Sequence, residues 1–428
     1  MAQSAMSNFF QKFALVIADK SLRNRLLFVL GALAISRLLA TLPVPGINAA
    51  QLAAFLSNNQ FFGLLNLFSG GGLSNLSVVM LGVGPYITSS IILQLLTMLV
   101  PSLKALYQEE GEVGRQKFSM YTRFLTLPVA VIQGVSFLLI LERQGIMPGL
   151  TSFQFGVNLL AITAGSLLLM WIGELISEFG LGNGVSVLIF AGIVARIPRD
   201  ISQAIFSFDA TQLPVYMAFL LAAIAIVAAV VVVTEAERPV PATYAKRVRG
   251  MKFFGGQSTY IPLRLNQAGV IPIIFALSLL LIPQMVATFF SASSHVWLAS
   301  ASNYVLSLFR NLGFYGALYF VLVFLFTYFY TAVTFDPHLI AENLQKNGAF
   351  IPGVRPGNST EEYLGKVITR ITFVGALFLG VIAVLPTVIQ SLTGIQQLTL
   401  GGTALLIVVS VILDLARRID AQISIREY

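Results

Sequence analysis

Three shortages define this chain: cysteine, histidine and charge. Its 428 residues include no cysteine and only two histidines, His295 and His338, which lie far apart in the sequence. Disulfides, thiolate zinc sites and catalytic thiols are therefore excluded, and a histidine-built metal site is not expected. Charged residues make up 10% of the chain, whereas soluble domains carry roughly 25%. So few charges cannot cover a water-facing surface, which predicts a polytopic membrane protein.

The uncharged intervals of the sequence locate the membrane spans. A helix needs about 20 apolar residues to cross ~30 Å of hydrocarbon, and 57% of this chain is hydrophobic. Polar breaks divide the longest intervals, and the Ser/Ala-rich stretch after residue 290 is predicted to be an exterior loop. The ten predicted spans are 24–42, 76–100, 120–141, 154–174, 183–197, 213–234, 268–290, 313–334, 367–389 and 398–416.

The basic residues provide a test of this count. Of the 26 Lys and Arg residues, 21 fall in the loops and adjoining span ends on one side and 4 on the other, while Arg37 lies within the first span. Cytosolic loops carry an excess of positive charge. Both termini are therefore predicted to be cytosolic, and the basic balance reflects topology rather than nucleic-acid binding.

Two of the predicted cytosolic loops are long, irregular and basic. Residues 235–267 contain Pro239, Pro241 and six basic side chains, and residues 336–366 contain the string IPGVRPG. A simple channel or transporter needs neither loop. We interpret them as docking surfaces, with ordinary solvated connectors as the alternative.

Ten spans also suggest an internal duplication. An odd number of spans per half forces the second copy to insert upside down, which gives an inverted repeat about an axis in the membrane plane. The expected halves are residues 1–205 and 206–428, with five spans each.

Gln60–Asn75 is anomalous for a membrane segment. Its apolar part is too short to span, and Gly70, Gly71 and Gly72 forbid a stable helix through them. Irregular backbone at membrane depth survives only where protein or a water cavity surrounds it. The segment is either a short re-entrant helix that fills a central cavity from outside or an interfacial helix on the outer surface.

Aliphatic residues recur beside glycine or proline in several spans. Helices with such breaks tend to line cavities, and aliphatic constrictions can gate a water-filled path by dewetting. Ordinary packing against lipid or other helices is the alternative. The residues are Val83, Ile87, Val185, Ile189, Ile274 and Ile407.

Polar groups within the spans are few. No span carries an acidic residue near its middle, as a proton or ion relay requires. Arg37 either snorkels to the outer interface or serves as a structural or pore-facing cation. Gln94 and Gln133, in spans 2 and 3, are expected to make a helix–helix contact. Gly180–Gly184 lacks the spacing of a phosphate loop and predicts a helix–turn–helix at the membrane face.

Eight strings together resemble the SecY family, the core subunit of the bacterial protein-conducting channel, in the family's order and over nearly the whole chain. They are Leu42–Ile47 (LPVPGI), Phe68–Leu73 (FSGGGL), Gly82–Ile87 (GVGPYI), Gly111–Arg115 (GEVGR), Gly182–Ser186 (GNGVS), Asn266–Pro272 (NQAGVIP), Ile351–Gly357 (IPGVRPG) and Gly401–Thr403 (GGT).

The resemblance implies an hourglass pore between two five-helix halves, within an all-α fold of ten spans. The six aliphatic residues named above would form a ring at its waist. A lateral gate between spans 2–3 and 7–8 would lie near Gln94 and Gln133. A plug helix at 61–72 would fill the outer funnel, with Phe61, Phe62, Leu64, Leu65, Asn66, Leu67, Phe68, Ser69 and Gly70 as its residues.

The resemblance also implies partners and a location. The channel would pass signal-sequence-bearing polypeptides across the inner membrane and release membrane segments into the lipid bilayer. The small membrane subunits SecE and SecG, the motor ATPase SecA and the ribosome would be its partners, without a cofactor or catalytic residue in the chain. Docking is expected at Arg238, Lys246, Arg247, Arg249 and Arg355. The alternative of another class is a secondary transporter with inverted repeats.

Overall fold

The chain is predominantly helical. The computed structural model describes residues 19–45, 66, 69–73, 75–108, 110–143, 145–147, 149, 151–198, 202, 213–244, 247–249, 252–254, 258–291, 295–393 and 397–424. Its helices are α1 Lys20–Leu39, α2 Gly84–Leu99, α3 Pro101–Gln108, α4 Gly111–Arg143, α5 Ser152–Phe179, α6 Gly184–Val194, α7 Leu213–Glu235, α8 Ile271–Phe290, α9 Val296–Arg310, α10 Leu312–Thr334, α11 Pro337–Lys346, α12 Asn358–Thr393 and α13 Gln397–Ser424.

Each of the ten predicted spans overlaps one of these helices. Among the described residues, α4, α5, α8, α10 and α12 are long and apolar enough to cross a membrane on their own. The pair α2–α3 would be a sixth span, although the two helices are bent by 116° at the break between them. Helix α6 has only 11 residues, shorter than the predicted span 183–197.

The second span was predicted to begin at residue 76, and this boundary is wrong. Residues 78–83 form turns and α2 begins at Gly84. Gly82 has a φ of +60°, a conformation that favours glycine, and Pro85 occupies the first turn of α2, where its missing N–H costs nothing. The hydroxyl of Ser166 in α5 donates to the carbonyl oxygen of Gly82 at 2.9 Å and holds the turn in place.

The turns before α2 are paired with the segment that follows α1. The N–H of Val44 donates to the Leu76 carbonyl at 2.9 Å, and the N–H of Val78 donates to the Leu42 carbonyl at 2.9 Å. Leu73, Leu76 and Met80 then pack with the C-terminal part of α4 in a buried apolar cluster. The non-helical backbone is therefore enclosed by protein.

The predicted helix–turn–helix at Gly180–Gly184 is confirmed. Helix α5 ends at Phe179 and α6 begins at Gly184, with Gly182 at a φ of +84° between them. The side chain of Asn183 accepts from the N–H of Ser186 at 3.1 Å and caps α6.

The sequence suggested that the loop 235–267 is irregular, and this prediction is wrong. It holds the strands β1 Glu237–Tyr244, β2 Arg247–Arg249, β3 Lys252–Phe254 and β4 Ser258–Arg264. Strand β1 pairs antiparallel with β4 along its length and with β5 (Ala349–Phe350) only at Thr243 and Tyr244. Pro239 and Pro241 lie where β1 has one neighbouring strand, the kind of position to which proline in a sheet is confined.

Strand β5 and helix α11 belong to the loop 336–366, which was also predicted to be irregular. The β1–β4–β5 sheet therefore joins the two predicted docking loops into one structured surface. Val240, Leu263 and Ile351 are buried beneath it with residues of the first turns of α12, including Leu364 and Val367.

The predicted exterior loop after residue 290 likewise contains a helix, α9 Val296–Arg310. Its serines and alanines suggested a loop, but Leu298, Val305 and Phe309 recur at helical spacing and are partly buried on one face.

Contacts divide the chain into two compact units. One comprises 1–214, 278–311 and 395–428, and the other comprises 215–277 and 312–394. These units do not follow the expected boundary at residues 205 and 206, and the inverted halves stay a prediction.

The contact between α5 and the turns before α2 generates a stability prediction. A Cβ at Gly165 would overlap the carbonyl group of Val78, whereas a Cβ at Gly156 in the same helix would meet nothing within 4 Å. We expect Gly165→Ala to destabilise the protein by about 1–3 kcal/mol through overpacking. The midpoint of thermal unfolding in detergent measures this. Gly156→Ala is the matched control, and equal midpoints for the two variants would contradict the contact.

Candidate functional site

The six predicted ring residues are mostly enclosed by protein. Val185 is partly buried, and the relative exposures of the other five are Val83 2%, Ile87 4%, Ile189 1%, Ile274 4% and Ile407 1%. Side chains so little exposed do not face lipid. The alternative to a ring was packing against lipid or against other helices. For these five residues packing against lipid is excluded, and packing within the protein remains.

Two ring residues mark the start of α2. Val83 is the residue that precedes the helix, and the N–H of Ile87 donates to its carbonyl at 3.0 Å, so the two are one helical turn apart. Because the Gly82 turn fixes Val83, the bond from Ser166 also fixes the position of this apolar pair.

Two more ring residues share a face of α6 with a glycine. Val185, Ile189 and Gly192 are four and three residues apart, which places them in line along the helix. Gly192 lies about 4.5 Å beyond Ile189 along the helix axis, toward the predicted outer end. There its backbone meets that of Gly70, since a Cβ on Gly70 would lie 3.0 Å from the Cα of Gly192.

Gly70 belongs to the predicted plug. Phe61, Phe62, Leu64, Leu65, Leu67 and Phe68 lie outside the described residues, whereas Asn66, Ser69 and Gly70 are described and buried. The N–H of Gly71 donates to the Asn66 carbonyl at 2.8 Å, and Gly70 has a φ of +63°. This is the Schellman pattern of a helix C-terminus, and burial there argues against an interfacial helix.

Arg37 is bound to the same turn. Its Nη1 donates to the carbonyl oxygen of Gly70 at 2.6 Å, and the side chain is half-buried. Of the two alternatives, the contact favours a structural cation over a snorkelling one. The sequence did not reveal this bond, because 33 residues separate the partners and only glycine's lack of a side chain permits the approach.

The two predicted gate glutamines do not pair with each other. Gln133 in α4 donates to the hydroxyl of Thr88 in α2 at 3.4 Å, which is the expected helix–helix contact and a long one. Gln94 instead donates to Ser90 of its own helix at 3.1 Å.

A small cavity adjoins the Gln133–Thr88 contact. Its volume is about 20 Å³, room for roughly one water molecule. Residues of α2, α4 and α8 line it. Ser278 is the first and Met285 the last of the α8 residues in this lining. Three of the four helices predicted for the gate therefore meet at this cavity.

An ion pair between α4 and α5 was missed in the sequence. The Nε of Arg123 lies 2.7 Å from Oε1 of Glu174. The sequence did contain a signal for this pair. Arg123 is the fourth residue of predicted span 3, and Glu174 is the last residue of span 4. Because consecutive spans run antiparallel, the two helices carry opposite charges at matching depth. Among the described residues, no group of three or more His, Cys, Asp or Glu could hold a metal ion.

The predicted docking residues differ in how they are placed. Arg238 in β1 is exposed, Arg247 and Arg249 lie in β2, and Lys246 is outside the described residues. Arg355 is exposed on the turn between Gly353 and Gly357, where its carbonyl accepts from the Thr360 hydroxyl at 2.9 Å.

Neighbouring charges on α11 and α12 are already paired. Lys346 and Lys366 lie 2.7 Å from Glu342 and Glu362, respectively. His338 lies 2.9 Å from Glu361, and this hydrogen bond raises the pKa of His338. Within the described part of the chain, Arg355 has no salt bridge, so its charge is available to a partner.

Solved structures with the same architecture are protein-conducting channels. A structure described as that of a protein conducting channel covers 92% of this chain and 90% of its own, with a TM-score of 0.63 at 18% identity. The Sec61 channel of a canine ribosome–channel complex matches with a TM-score of 0.59 at 17% identity, covering 92% and 90%. The protein is thus a multi-pass membrane protein with the fold of a protein-conducting channel.

Sequence comparison specifies the family. The SecY family model matches residues 77–416. The protein translocase subunits SecY of Mycobacterium tuberculosis (strain ATCC 25618 / H37Rv) and of Thermotoga maritima are each 41% identical to this chain. The alignments cover 95% and 98% of this chain and 96% of each relative. The chain belongs to the SecY family.

Proposed function

We propose that the protein is the channel through which unfolded secretory polypeptides cross the inner membrane, and that it releases membrane segments sideways into lipid. The observation that carries this proposal is the contact of Gly70 with Gly192, one helical turn beyond Ile189. It supports a plug seated directly outside an apolar ring.

The ring has the chemistry that such a channel needs. Aliphatic side chains offer a passing peptide no hydrogen bond to hold it, and a narrow apolar collar dewets when it is empty. Val83, Ile87, Val185, Ile189, Ile274 and Ile407 are the proposed collar, and the burial of five of them supports that role.

The Gln133–Thr88 contact joins spans 2 and 3, which form one side of the proposed lateral gate. The hydrogen bond of 3.4 Å lies within this side and is near the limit of an effective one. The adjoining cavity lies between α2, α4 and α8, where the two sides of the proposed gate meet. Helices separated by such a void can part along this seam to let an apolar segment reach lipid. Gln94, buried one to two turns further along α2, belongs to the same proposed seam.

The energy for transport is proposed to come from partners rather than from catalysis in this chain. Arg238 on the sheet and Arg355 on the turn that follows β5 are the proposed docking residues for SecA and the ribosome, with Lys246, Arg247 and Arg249 of the segment that follows β1. SecE and SecG are the proposed membrane partners, and both termini are proposed to be cytosolic. Halves at 1–205 and 206–428 are the proposed repeat. Membership of the SecY family disfavours a secondary transporter.

The collar predicts the effect of a polar substitution. Ile407→Asn should raise ion leak through reconstituted channels or relax the selectivity for signal sequences, because an amide in the collar favours water. Iodide flux into proteoliposomes and translocation of a signal-defective substrate measure the two effects. Ile412→Asn is the control, since this α13 residue is 47% exposed. Unchanged behaviour after polar substitution at all six positions would overturn the ring.

The exposed arginine of the docking surface predicts a defect in motor-driven secretion. Arg355→Glu reverses a charge that has no partner within the described residues and should leave folding and membrane insertion intact. We expect SecA-driven translocation into proteoliposomes to fall about tenfold or more, equivalent to roughly 1.4 kcal/mol of lost interaction. Arg355→Lys keeps the charge and is the control. Normal secretion by Arg355→Glu would count against docking at this turn.

The absence of natural cysteine permits a direct test of the plug. A single cysteine in Phe68→Cys should crosslink to a stalled secretory chain, because a plug residue borders the path of the substrate. Trp171→Cys is the control, since Trp171 in α5 is 57% exposed on the helix surface. Equal crosslinking at the two positions, or none at position 68, would contradict a plug at 61–72.

A further inference from the structure

The glycine end of the proposed plug is held by groups from two different helices. Arg37 of α1 donates to the Gly70 carbonyl at 2.6 Å, and Gly192 of α6 meets Gly70 backbone to backbone. No apolar side chain takes part in either contact. Two contacts therefore fix the Gly70 turn: one charge-assisted hydrogen bond and one close approach of main chains.

Both glycines are required for this approach. Gly70 has a φ of +63°, and a Cβ there would lie 2.6 Å from Nη2 of Arg37. A Cβ on Gly192 would overlap the Cα of Gly70 and lie 3.2 Å from the same nitrogen. A single methyl group on α6 must therefore displace either the Gly70 turn or the guanidinium that binds it.

Two arginines border the Gly70–Gly71 turn, and each has a buried nitrogen without a described hydrogen bond. The Nε of Arg37 and the Nη1 of Arg196 are buried without a hydrogen-bond partner among the described residues. The carbon stem of Arg196 borders the next glycine, 3.7 Å from where a Cβ of Gly71 would lie. Two incompletely hydrogen-bonded cations from other segments therefore lie against this turn, and among the described residues neither has a salt bridge to a carboxylate.

We propose that Arg37 and Gly192 form a clamp, named here the plug clamp, that positions the closed plug and couples its release to the ring. This inference rests on the proposed plug function and adds its mechanism. Val185 and Ile189 lie on the same face of α6 as Gly192. A polypeptide that widens the ring displaces α6, carries Gly192 away from Gly70 and leaves one hydrogen bond to hold the turn.

The proposal is tested with a reporter cysteine in the full-length channel. Ser69 is 5% exposed, so Ser69→Cys in this cysteine-free chain should react slowly with a water-soluble maleimide. Gly192→Ala should raise the labelling rate about tenfold or more and raise iodide leak in proteoliposomes without substrate. Gly156→Ala, where a Cβ meets open space, is the matched control and should change neither quantity.

Arg37 supplies a second variant, which keeps the test valid if Gly192→Ala fails to fold. Arg37→Met keeps most of the unbranched apolar stem without the donor and should raise labelling and leak. Arg37→Lys restores a cationic donor and should rescue both toward the unmodified channel. A generally destabilised protein would not separate the methionine from the lysine variant in this way.

The outcomes distinguish the clamp from the plug itself. Deletion of residues 61–72 should cause leak if the plug function is right. If the deletion leaks while Gly192→Ala and Arg37→Met match the control in labelling and leak, the clamp is wrong and the plug stands. If the deletion does not leak, the plug function fails, whatever the labelling rates show.

Discussion

Non-helical backbone at membrane depth must find its hydrogen bonds within the protein, and this constraint organises the residues around the proposed pore. Besides local turn bonds, four described bonds to other segments meet it between residues 70 and 82. Leu76 and Val78 bond to the segment after α1, the Gly82 carbonyl accepts from Ser166, and the Gly70 carbonyl accepts from Arg37. In lipid, each of these groups left unpaired would cost several kcal/mol. The bond from Ser166 places Val83 beside α5, and the bond from Arg37 holds the glycine turn where it meets Gly192 of α6.

Glycine supplies the geometry that these bonds need. Gly165 admits the Val78 carbonyl, Gly192 admits Gly70, and Gly184 admits the carbonyl of Gly173 between α5 and α6. At such places helices approach main chain to main chain, so small displacements are transmitted directly instead of being absorbed by side-chain rotation. A channel that must reopen repeatedly benefits from contacts that separate without disrupting a large apolar core.

The sequence predicted best what depends on local composition. Hydropathy placed all ten spans on helices, and the Gly180–Gly184 turn followed from glycine chemistry alone. The start of α2 at Gly84 escaped prediction because apolar residues continue through the preceding turns. The strands of 235–267 escaped because Pro239 and Pro241 interrupt the alternating pattern. The partners of Arg37 and Glu174 depend on which segments are neighbours, and one sequence does not reveal this. For Glu174, the matching depth of Arg123 in the neighbouring predicted span was a signal.

The small cytosolic sheet has a mechanical consequence. Strand β1 follows α7 directly, and only residues 265–270 separate β4 from α8, where the N–H of Leu265 is bonded to the Ala236 carbonyl at 2.9 Å. A connection this short has little slack. A load applied near Arg355 would therefore pass through β5 and β1 to β4 and pull on the first turn of α8, so that work done there by the proposed motor partner would reach a helix of the proposed seam as strain.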